Sequence, residues 1–99
     1  MNIEISKSIK KDKKLMAVID GKKTIHFGDS NYYDFTKHKD ESRKDNYISR
    51  HRTRENWGKT GVDTPGFYSR WVTWNKPTLQ ASVNDLNKRF SQMNFKLKV

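Results

Sequence analysis

The stretch Leu15-Met16-Ala17-Val18-Ile19-Asp20-Gly21-Lys22-Lys23-Thr24-Ile25-His26-Phe27 decides the fold. Two runs rich in β-branched and aromatic residues flank an Asp-Gly pair. A tight type I′ turn needs positive φ at both of its central residues, and Asp-Gly is among the pairs that meet this demand best. The stretch predicts a β-hairpin turning at Asp20 and Gly21.

The same pattern extends towards the N-terminus. Ile3 and Ile5 alternate with polar neighbours and Ile9 keeps their parity, which predicts a preceding strand. Lys10-Lys11-Asp12-Lys13-Lys14 reads as a charged turn between that strand and the hairpin.

Beyond the hairpin the period changes. Gly28 to Thr36 reads as a loop that contains Tyr32, Tyr33 and Phe35. Asp40 to Arg54 has neither Gly nor Pro and is full of helix formers. Its acids, Asp40, Glu41 and Asp45, come early, and Arg50, Arg52 and Arg54 come late, as a helix dipole favours. It predicts a helix that stops at Asn56-Trp57-Gly58. Thr64-Pro65 reads as an N-cap followed by proline at the first helical position. Phe67, Trp71 and Trp74 follow at helical spacing, which predicts one apolar face. Thr78 caps a last helix, Leu79 to Phe90, with Leu79, Val83, Leu86 and Phe90 on one stripe. Phe95-Lys96-Leu97-Lys98-Val99 alternates again and reads as a closing strand. The expected fold is therefore α+β, a single domain over 1–99: a small antiparallel sheet from the N-terminal hairpin, with the C-terminal strand as its candidate last member, packed with two or three helices.

Composition narrows the function. Hydrophobic residues make up only 32% of the chain, so the 12% that are aromatic must supply much of the core. The net charge of +10 favours polyanions, either nucleic acid or an acidic protein surface. Without cysteine there are no disulfides and no thiolate metal sites. The longest apolar run, Leu15 to Ile19, is far too short to span a membrane. The first residues lack a signal peptide's apolar centre, so a location on the cytosolic side or inside a particle is expected.

Three constellations carry chemistry. Helical spacing brings Arg43, Arg50 and Arg54 together beside Tyr47 and His51, with Lys44 and Arg52 flanking them. Guanidinium forks suit phosphate or carboxylate oxygens, although a solvated helix face has the same composition. Trp57, Phe67, Tyr68, Trp71 and Trp74, interleaved with Lys59 and Arg70, can stack on unpaired bases. They fit better inside a chain so poor in aliphatic residues. His26, His38 and His51 are too scattered for a zinc site, and neither a nucleophile–base pattern nor a glycine-rich phosphate loop is present. No catalytic residue, cofactor or metal is expected. The candidate polyanion-binding or partner-binding residues are Arg43, Lys44, Arg50, Arg52, Arg54, Lys59 and Arg70.

Several words of the sequence form one block: Lys23-Thr24-Ile25-His26-Phe27-Gly28, Asp34-Phe35-Thr36-Lys37-His38-Lys39-Asp40, Arg50-His51, Glu55-Asn56-Trp57, Gly66-Phe67-Tyr68-Ser69-Arg70-Trp71, Trp74-Asn75-Lys76-Pro77-Thr78 and Lys88-Arg89-Phe90. Over about residues 14 to 90 they resemble an uncharacterised family of small basic proteins encoded by large DNA viruses of algae and protists. The chain departs from that pattern at Tyr68 and Val72-Thr73. The resemblance implies a viral context and no activity. A small viral protein without an enzyme signature is expected first to be a minor virion or capsid-associated structural component, binding the acidic surfaces of larger virion proteins. The alternative is a nucleic-acid-binding protein acting on the viral genome or transcripts. Either would be found in the virion and, before assembly, in the viral factory of the host cytoplasm.

Overall fold

The computed structural model describes residues 1–99. Strands β1 (Asn2–Lys7), β2 (Lys13–Ile19), β3 (Lys23–Asp29) and β4 (Asn94–Leu97) form one sheet in the order β3-β2-β1-β4. Helices α1 (Phe35–His38), α2 (Glu41–His51), α3 (Pro65–Tyr68) and α4 (Leu79–Arg89) complete an α+β domain. None of its helices is long and apolar enough to cross a membrane.

The hairpin forms as its residues require. Asp20 and Gly21 both have positive φ, 52° and 67°, and the N–H of Lys22 donates to the carbonyl of Ile19 at 3.0 Å. Pairing resumes at Ile19↔Lys23, so Lys22 is one residue more than a two-residue connection needs. That extra residue sets the register. It places Leu15 opposite Phe27 and Ala17 opposite Ile25, with all four side chains buried on one face. A slip of one residue would turn Thr24 and His26 inward instead. Gly21→Val is expected to cost roughly 1 kcal/mol or more, because a β-branched residue resists positive φ. Urea denaturation would check this, and an unchanged midpoint would rule out the strain.

β1 buries Ile3 and Ile5 against β2, but it ends at Lys7 and Ile9 stands in solvent. The closing strand β4 forms with Phe95 buried, and it corrects one expectation: it pairs with β1 in parallel, so the sheet is mixed rather than antiparallel throughout. Alternation announces a strand without its direction, since parallel and antiparallel strands share the period of two. Direction here depends on where α4 returns the chain. The Asn87 side chain on α4 both donates to the carbonyl of Phe95 (2.9 Å) and accepts from its N–H (2.8 Å).

Thr64 and Thr78 cap their helices as read from sequence, accepting from the N–H groups of Phe67 and Ala81. Asp40, read as the first residue of its helix, is instead the N-cap and accepts from the N–H groups of Ser42 and Arg43. α1, capped by Asp34, lies where a loop was expected. α2 stops at His51, short of the expected Arg54, where the chain bends so that Glu55 meets both the His51 ring (3.5 Å) and the Trp57 indole N–H (3.1 Å).

The segment that begins with α3 holds the largest departure. After Tyr68 the chain opens into a π-helical turn, Ser69–Thr73, and the Trp74 N–H reaches back five residues to Ser69. Carbonyls near the turn are taken by side chains: Ser69 by the Thr73 hydroxyl, Trp71 by the Asn75 amide and Trp74 by the Arg70 guanidinium. The wider turn adds a residue to the repeat and rotates everything after it. Phe67, Tyr68 and Val72 therefore enter the core with Val83 and Leu86, while Trp71, Leu79 and Phe90 pack against its edge. Trp74, expected on the core face, points elsewhere.

Candidate functional site

Trp74 points to α2. Its ring lies 4.6 Å from that of Tyr47, within 2° of parallel, and Tyr47 stacks in turn on His51 at 4.3 Å. Tyr47 is the one buried residue of α2. The helix thus stands on a ring column beside the main core and keeps most of its surface in solvent. Burial, helped by the nearby Glu55 charge, pushes the Tyr47 hydroxyl well above tyrosine's ordinary value.

Between α2, the π-helical turn and the loop after β3 lies a cleft of about 830 Å³. Arg43, Arg50 and Arg54 line it. None of the three side chains makes a salt bridge or a hydrogen bond, and all three residues are exposed. The carboxylates around them are occupied. Lys14 holds Asp34 at 2.8 Å, and Thr36 donates to the same carboxylate through its N–H. Glu55 is taken by His51 and Trp57, and Asp29 accepts from the Asn31 N–H at 2.9 Å. Lys14, Arg43, Arg50 and Arg54 stand against Asp29, Asp34 and Glu55 in the cleft lining, so its formal surplus is one positive charge, and the three guanidinium groups, with five donors each, have no protein partner.

Gly28, the penultimate residue of β3, also lines the cleft; its φ is 78°, and a Cβ there would press on the Lys14 stem at 3.4 Å. Beyond it Tyr32 and Tyr33 line the same cleft, each 71% exposed. The loop is pinned where Ser30 donates to the carbonyl of Asp12 (3.1 Å) and Tyr32 to that of Asp29 (3.3 Å).

The seven residues proposed from sequence separate into groups. Arg43, Arg50 and Arg54 converge on the cleft, Arg54 from the turn after α2 rather than from the helix. Arg52, the helix C-cap, is exposed but does not line the cleft. Lys44 is committed inside: its ammonium donates to the carbonyl of Asn75 (3.1 Å) and lies 4.6 Å from the Phe35 ring. Arg70 is likewise a structural residue, donating to the carbonyl of Trp74 at 2.8 Å and lying over the Trp71 ring at 4.4 Å, with Arg89 at 4.3 Å from the same ring. Burial and the Arg89 charge hold the Arg70 guanidinium below its ordinary pKa. Lys59 bonds to Gln92, away from the cleft. The histidines do not gather: His26 bonds to Ser8 at 2.7 Å, His38 packs on Trp74, and His51 ends the ring column.

Sequence reasoning missed Lys14, Tyr32 and Tyr33 as cleft residues. The tyrosines carried a readable sign. Two large rings adjacent in a Gly-Asp-Ser-Asn loop have no periodicity that would bury both.

Residues 3–51 match the model of a family of unknown function, DUF5754. The match takes in β1 to β3, the tyrosine loop, α1 and α2, and so includes Arg43 and Arg50 but not Arg54. No curated protein and no solved structure matches the chain.

Proposed function

We propose that this chain is a non-enzymatic binding protein that holds a polyanion in the Arg43–Arg50–Arg54 cleft, with nucleic acid as the partner. The observation that carries the reading is the set of three unpaired guanidinium groups in one concavity whose carboxylates are already engaged. What the cleft offers a ligand is charge and ring faces. Each phosphate neutralised there releases condensed counterions, and binding of this kind is sequence-tolerant. The resemblance to proteins of large DNA viruses supports the viral genome or its transcripts as the source of that polymer.

A second reading has an observation of its own. Asp40, Glu41 and Asp45 interrupt the positive field of α2 on its exposed side, which suits a patterned protein surface better than a uniform phosphate chain. On that reading the protein is a minor virion component, and its arginines fork onto the carboxylates of a larger virion protein.

Titration of a labelled DNA oligonucleotide at two salt concentrations separates the two. Three contacted phosphates predict a slope of log K against log salt of about −2 on a single strand. Absence of binding at low salt, together with binding of polyglutamate, would overturn the nucleic-acid reading in favour of the second.

A further inference from the structure

We propose that the cleft is built for a single strand, with unpaired bases lying on the rings of Tyr32 and Tyr33 while the strand's phosphates meet Arg43, Arg50 and Arg54. The inference rests on the polyanion reading and adds to it the form of the polymer. Every other aromatic ring of the chain is buried or half-buried, in the core, at its edge or in the column under α2. Tyr32 and Tyr33 alone stand exposed, and both line the cavity that holds the unpaired arginines. A chain short of apolar residues has thus left two large rings out of its core and set them in the same cleft as the unpaired arginines.

Their loop is pinned before any ligand arrives. Asp29 accepts from the N–H groups of Asn31 and Tyr32, and the Lys14–Asp34 pair fixes the far end. A loop whose backbone is held in this way loses little main-chain freedom when a base stacks on its rings. A duplex cannot use them, because its base faces are already stacked and it presents backbone and groove edges to a protein. An unpaired strand exposes base faces and phosphates together, and aromatic platforms beside a positive groove are the means by which such strands are held. The spacing agrees. Arg43 and Arg50 are seven residues apart on α2, about 10.5 Å along its axis, the reach of about two or three nucleotides of one strand.

The test uses the full chain and fluorescence anisotropy. The probes are labelled oligothymidylate of roughly a dozen nucleotides, a duplex of equal length, and polyglutamate, each titrated over the same series of salt concentrations. The strand should bind about tenfold or more tighter than the duplex. Tyr32→Ala/Tyr33→Ala should erase that preference and leave the salt slope unchanged, because it removes rings and no charge. Both side chains are exposed, so the variant should fold, and its near-ultraviolet circular dichroism and thermal midpoint confirm that it has. A wild-type protein that binds duplex as tightly as strand would overturn the inference while leaving the polyanion reading standing. So would a strand preference that survives loss of both tyrosines. Binding of neither nucleic acid, with or without capture of polyglutamate, would remove the underlying reading as well.

Discussion

Phe67→Ala should lower the stability of this domain by roughly 3–5 kcal/mol. The ring is fully buried and meets three others: Tyr68 edge-on at 5.0 Å, Phe90 at 5.2 Å and Phe95 at 6.5 Å. Those partners belong to α3, the end of α4 and β4, so one side chain joins the elements that close the sheet. Truncation removes the transfer energy of the ring and leaves a void that backbone on three sides cannot collapse to fill. Domains of this size are stable by about 5–15 kcal/mol in total, so the loss should be visible as a fall in Tm of at least about 12 °C. Circular dichroism melts and urea midpoints at constant m-value would measure it. Trp74→Ala should cost clearly less, because that ring is half-buried and supports α2 rather than the sheet. If the two variants proved equally destabilising, the π-helical turn would not be dividing the aromatic residues between core and column.

That division marks where the sequence stops being legible. The hairpin, the Thr64 and Thr78 caps and the inward parity of Ile3, Ile5 and Phe95 are local features, and local chemistry specifies them. An α-helical reading of Phe67, Trp71 and Trp74 fails because the turn widens, and it widens where side chains from Arg70, Thr73 and Asn75 compete for main-chain carbonyls. Helical periodicity contains no term for that competition. The direction of β4 was hidden for a related reason: it depends on the path of α4, and the alternation is the same either way. Among the basic residues, Arg43 and Arg50 share one side of α2 by spacing alone. The fates of Lys44, Lys59 and Arg70 rest on the carbonyl of Asn75, the side chain of Gln92 and the rings of Trp57 and Trp71. Lys44 and Lys59 meet partners some thirty residues away in the chain. Counting charge from sequence therefore does not predict the cleft lining. Three of the seven residues go into packing or remote bonds, a fourth, Arg52, stays outside the cleft, and Lys14, Tyr32 and Tyr33 join the lining.

Replacing Arg43, Arg50 and Arg54 together should distinguish charge from shape at the cleft. With alanine at all three positions, binding to a single strand at physiological salt should fall roughly 100-fold or more, since charge-assisted hydrogen bonds are the stronger class and three are lost. The slope of log K against log salt should flatten by about two. Stability should hardly change, because none of the three side chains has a partner to lose. With lysine at all three, the charge remains and the fork does not. Phosphates spaced along a flexible strand can adjust to a point charge, so the salt slope should persist and the affinity fall less than tenfold. Carboxylates fixed on a folded partner cannot adjust in the same way. Against such a partner the lysine variant should bind almost as poorly as the alanine one, while keeping the long-range attraction that sets the association rate. Anisotropy titrations of the three proteins over a salt series, with stopped-flow association rates, read both quantities. An alanine variant within about threefold of wild type at every salt concentration would show that these guanidinium groups do not hold the ligand.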